Sequence, residues 1–105
     1  MNKQRFYVKR DAGTGEIIYV MHKDHAFGLK GGEVIDLWTE VMPAQSVDEI
    51  EAAIKNLHIE RVAYIFDPVF LRDNNDPSGI VRLVGYKVLC EHQDDLLAIK
   101  LGITQ

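Results

Sequence analysis

The stretch Ser46–Leu57, SVDEIEAAIKNL, decides the fold class, because it is a strongly helical segment set among runs that read as strands. Ser46 stands where an N-cap belongs, and Glu49 three residues on can reach back to the Ser46 amide in a capping box. Val47, Ile50, Ala53, Ile54 and Leu57 recur at helical spacing along one face, while Asp48, Glu51, Ala52, Lys55 and Asn56 take the other. Acids crowd the first turns and Lys55 lies near the end, as the helix dipole favours. Such a segment is built to lie on a sheet. Its polar face holds no His, Cys, Ser or Thr, so it carries no chemistry of its own.

Upstream, the alternation in Gln4–Arg10 predicts a first strand, with Phe6 and Val8 on one face and Arg5, Tyr7 and Lys9 on the other. Residues 11–15, DAGTG, supply a tight turn, and Glu16–His22 returns as a second strand. The apolar residues of that second strand fall on both faces, which predicts a more central place than the first. Lys23–Gly32 is a loop with three glycines, and Glu33–Val41 is a third strand closed by Pro43. Downstream, Glu60–Phe66 is a fourth strand ended by Asp67-Pro68, with Val69–Arg72 as an extended continuation. Residues 73–79, DNNDPSG, carry the strongest turn signal, with Pro77 and Gly79 at i+1 and i+3 of a type I turn. Ile80–Glu91 is a long last strand in which Gly85 suggests a bulge, and Asp94–Leu101 is a short helix with Gly102 as its C′ residue. The expected order is β-β-β-α-β-(β)-β-α over one domain, residues 1–105. That is an α+β, two-layer fold: a mainly antiparallel sheet of five or six strands, a central helix and a short C-terminal helix.

With 105 residues, 47% hydrophobic and 27% charged, the chain has the composition of an ordinary globular domain. Gly and Pro total 11, and there is no low-complexity tract or repeat. MNKQRFYVKR lacks the apolar core of a signal peptide, and no apolar run approaches the roughly 20 residues needed to span a bilayer. A lone Cys90 rules out an internal disulfide and fits a reducing compartment, so the cytoplasm is expected. The net charge of −4 divides unevenly, +3 over residues 1–30 and −7 over residues 31–105.

His22, Asp24 and His25 are the most suggestive polar cluster. H-x-x-H beside an acid could hold a metal or a small ligand, or provide an oriented general base; a solvated strand end is the plainer reading. Lys3, Arg5, Tyr7 and Lys9 alternate along the first strand as a basic stripe with one ring, the mixture that single-stranded nucleic acid uses. The acidic balance elsewhere argues against nucleic acid, and charge also serves to guard exposed strands against pairing. Cys90 and His92 could form a thiolate–imidazole pair, but Glu91, Asp94 and Asp95 oppose thiolate formation, which favours a core cysteine. Residues 28–32, GLKGG, do not match a phosphate-binding loop, and no hydrolase, zinc-protease, C-x-x-C or dinucleotide motif is present.

No catalytic set and no cofactor is therefore implied. The expectation is a small protein-binding or adaptor module, acting through a protein partner or as a homodimer, or as an acidic inhibitor that presents Asp48, Glu49 and Glu51 to a basic partner; the alternatives are a small-ligand or metal-dependent enzyme using residues 22–32 and a nucleic-acid binder using the basic first strand. Two short helices cannot cover a five-stranded sheet, which leaves apolar surface for association.

Overall fold

The structure, a computed structural model, describes residues 2–59, 63–72, 74–75 and 77–104. Five strands, β1 (Asn2–Arg10), β2 (Ile17–His22), β3 (Glu33–Met42), β4 (Ala63–Arg72) and β5 (Val81–Cys90), form one antiparallel sheet in the order β2-β1-β3-β5-β4. The helices are α1 (Val47–Asn56), between β3 and β4, and α2 (Gln93–Thr104), after β5; a 3₁₀ turn, Lys23–His25, follows β2. The fold is α+β, as the helix among strands requires.

Partner residues across a ladder share a face, so the register sorts the core into two halves. Trp38 and Ala63 flank Cys90, and Ile65 and Glu40 flank Val88; this face lies under both helices. There Met42, Ala44, Val88 and Cys90 pack with Ile50 of α1 and Leu96 and Ile99 of α2. The opposite face buries Phe6, Val8, Ile17, Leu37 and Leu89 without any helix, Val20, Ile35, Tyr64 and Phe66 packing against them. The sheet buries that face by curling on itself. In a flat sheet β2 and β4, four strand spacings apart, would be separated by roughly 19 Å. Instead His22 of β2 lies 3.0 Å from Asp67 of β4, and the Phe6 and Phe66 rings meet edge-on at 5.3 Å. The two edges of the sheet touch.

Several local expectations change. β2 is an edge strand and β1 an inner one, the reverse of what the apolar content of EIIYVMH predicted. The inward apolar residues of β2 face the curl, while Ile18 and Tyr19 are exposed. Ser46 precedes α1, but its hydroxyl caps no amide; Glu49 reaches back one residue further, accepting from the Gln45 amide at 3.3 Å. Leu57, expected on the buried face of α1, is exposed, because the helix ends at Asn56 and His58 turns the chain with φ of 52°. The fourth strand is not broken at Asp67-Pro68. It continues to Arg72, with a register shift between Ile65 and Pro68, and as an edge strand it tolerates a proline. Glu60, Arg61 and Val62 of the expected strand, and Asp73 and Asp76 of the expected turn, lie outside the described residues. α2 runs through Gly102 instead of stopping there, and a side chain at 102 would meet Leu57 at 3.2 Å.

The bulge expected near Gly85 falls one residue earlier. Val69 pairs with Gly85 and Phe70 with Leu83, leaving Val84 unpaired and reversing the faces of residues 80–83 from simple alternation. Gly85 itself is required by close approach: a Cβ there would lie 2.0 Å from the Met42 carbonyl oxygen. The result is an elongated molecule, 51 Å in its longest dimension. Its radius of gyration of 15.4 Å compares with roughly 13 Å for a compact chain of this length.

Candidate functional site

The histidine cluster falls at the seam where the sheet edges meet. A carboxylate only accepts, so the His22 Nε2–H donates to Asp67 Oδ2 across 3.0 Å. The His22 ring packs edge-on against Phe66 at 4.7 Å and against His25 at 5.6 Å, and lies 5.5 Å from Phe6. Asp24 is exposed on the 3₁₀ turn beside them. The third polar group of this cluster is thus Asp67, which no local pattern ties to His22. Among the described residues, no group of three or more His, Cys, Asp or Glu side chains is placed to hold a metal. Asp67 is well exposed and His22 half-buried, so the pair acts as a light clasp over the aromatic seam.

Lys3, Arg5, Tyr7 and Lys9 do share one face of β1, but the sheet uses most of them. Lys3 Nζ sits 4.6 Å above the Trp38 ring, and Arg5 pairs with Asp36 at 3.4 Å. Tyr7, the ring of the stripe, is only 6% exposed. It lies beneath Gly32, where any Cβ would come within 2.3 Å of the Tyr7 ring. A base has no access to stack on it.

Cys90 is 2% exposed among the residues under α2. Burial, with Asp95 nearby, pushes its thiol up to about 12, so it stays protonated at neutral pH. His92 is exposed just beyond β5.

Asp48, Glu49 and Glu51 are exposed on the first turns of α1. Glu51 is more than a surface charge, because it lines an open groove of about 610 Å³ between α1 and β4. Val47 and Ile54 form the helix wall, Ala63 to Phe66 the strand wall, and Pro68 and Tyr86 one end. Lys55 stands on the same helix wall.

That end is where the β4–β5 hairpin leaves the body. β5 pairs with β3 only from Tyr86 to Cys90, whereas it pairs with β4 from Val81 onward. Residues 81–85 therefore have β4 on one side and, among the described residues, no strand on the other. Register places Phe70 with Leu83 and Arg72 with Val81 on one face of this arm, and Leu71 with Arg82 on the other. Phe70 is 57% exposed, Leu71 54%, Ile80 61% and Val81 53%. Sequence reasoning missed this arm, because a long apolar strand reads as buried. The available signal was length: ten residues in each of β4 and β5, with Pro43 ending β3 at the middle of them.

A second exposed apolar area lies on β2, β3 and the intervening loop. Tyr19 and Val34 are exposed on the face of the sheet that carries Lys3, Arg5, Tyr7 and Lys9, near Phe27 and Leu29 in sequence. It is looser than the arm, since Phe27 and Leu29 sit on a loop and not on a ladder.

No family model matches this chain, and no curated protein or solved structure matches it significantly.

Proposed function

We propose that this chain is a small protein-binding module without catalytic activity, and that the arm, residues 68–72 and 79–85, is its binding element. One observation carries the reading: Phe70, Leu71, Val81 and Val84 are all exposed on two adjacent strands, with Ile80 exposed just before them and, among the described residues, an unpaired edge beside them. Monomeric proteins rarely leave such a patch bare, and an open strand edge is a template for another chain. The histidine cluster and the basic stripe support the other readings less, since His22 is engaged with Asp67 and Tyr7 is buried. The acids of α1 add a surface for a basic partner. The lone buried thiol suits the cytoplasm, and no helix among the described residues is long and apolar enough to cross a membrane.

Selection from a displayed peptide library tests the reading. The intact chain and a Phe70→Ser/Leu71→Ser variant are used side by side; both positions are exposed, so the variant keeps its fold and its thermal midpoint. Enriched peptides should bind the variant at least about tenfold more weakly. Equal retention by the two proteins would remove the arm from the function.

A further inference from the structure

We infer that the occupant of the α1–β4 groove is the arm of a second copy of this chain, the two arms being exchanged about a two-fold axis. The inference rests on the arm being a binding element and names its partner. Continuity comes first. Pro68 and Tyr86, the pair at the base of the arm, also line the end of the groove. A second arm laid antiparallel beside the first therefore brings its apolar residues back onto the groove of the opposite subunit. The contact is reciprocal, so it closes as a dimer and does not propagate.

Chemistry agrees on both sides. The groove walls are mainly apolar, and the volume of about 610 Å³ falls within the range of roughly 300–1,000 Å³ that protein pockets use to hold apolar groups. Phe70, on the same face of the arm as Arg72, is the side chain to fill it, with Leu71 on the opposite face. The two strands of the arm carry Arg72 and Arg82 and no acid, with Asp73 and Asp76 in the sequence between them, while α1 presents Asp48, Glu49 and Glu51 against the single Lys55. Arg72 of one subunit thus approaches Glu51 of the partner subunit as Phe70 enters the groove.

The area is sufficient. Five half-exposed apolar side chains offer on the order of 400–500 Å² per protomer, and the walls of the reciprocal groove supply the rest of the roughly 800 Å² a side that specific interfaces bury.

Sedimentation velocity on the full chain, from low micromolar to submillimolar concentration, tests the exchange. A dimer is expected, weakened about tenfold or more by Phe70→Ser/Leu71→Ser. Glu51→Arg and Arg72→Glu should each weaken it several-fold, and the two changes together should restore most of the loss. A monomer at every concentration overturns the inference. So does a dimer indifferent to Glu51→Arg but lost on Val81→Lys, which would place the β5 edges against each other. So does one lost on Tyr19→Ser/Phe27→Ser, which would place the contact on the β2 face. If the chain is monomeric yet still selects peptides through Phe70 and Leu71, the second copy fails as occupant and the binding module stands. Peptide retention indifferent to those two residues is what defeats the module itself.

Discussion

Along the β4–β5 hairpin, the inner half, from Ala63 to Phe66 and from Tyr86 to Cys90, packs under the helices and inside the curl of the sheet. The outer half, from Phe70 to Arg72 and from Val81 to Val84, stands largely in solvent, Leu83 being half-buried. Both halves are rich in branched and aromatic residues, and both are antiparallel ladder, with Val84 as a bulge in the outer half. What differs is the third element. β3 ends at Met42 and the chain turns away at Pro43, so among the described residues the outer half has no strand pairing beside it on the β5 edge. Burial of a strand is decided by its neighbours and not by its own composition.

Four measurements bear on this contrast. The largest effect is expected at the junction. In Gly85→Val the new Cβ must displace the Met42 backbone, and the loss of folding stability should exceed about 3 kcal/mol by denaturant titration. A mild effect would mean that the two halves are not held by that close approach. Next, Leu89→Ala in the inner half should cost about 2–5 kcal/mol, because it opens a cavity at a fully buried site. Leu71→Ser in the outer half should change monomer stability by no more than about 0.5 kcal/mol. Equal losses at the two positions would erase the distinction.

The clasp comes third. Asp67→Ala should lower stability by at most about 1 kcal/mol, since Asp67 is solvent-exposed, yet it should speed hydrogen exchange at β2 and leave β5 unaffected. Uniform exchange would mean that the seam is held by Phe6 and Phe66 alone. Tyr64→Phe should have the smallest effect. Its buried hydroxyl finds no hydrogen-bond partner among the described residues, and burial, with Glu91 and Glu16 nearby, raises its pKa, so removing the hydroxyl should leave stability unchanged or raise it by up to about 1 kcal/mol.

Much of this architecture could be read from local patterns. The α1 segment and the turn at residues 11–15 each depend on a few adjacent residues, and each is present, whereas the strand end read at Asp67-Pro68 is in fact a proline within an edge strand. The helix was legible even though its cap was not, because Ile50 and Ala53 at helical spacing carry more free energy than the Ser46 hydroxyl. Sheet order was not legible. The curl lets β2 bury residues at an edge, so apolar content on both faces ceased to mark a central strand. Val84 hid the arm in the same way, since one unpaired residue reverses the faces of every position before it. Of the candidate site, the acidic turns of α1 were visible as charge, but the groove they border depends on β4, which comes later in the chain. His22 likewise needed Asp67, 45 residues distant, to acquire a partner.

The position of Cys90 has a practical consequence. Its sulfur is protonated at neutral pH and shut beneath Leu96 and Ile99, so an alkylating reagent can reach it only while α2 is away from the sheet. The natural chain thus holds one latent reactive atom at the join of its last two elements. The alkylation rate of that atom, followed by mass, times the detachment of α2 without any engineered label.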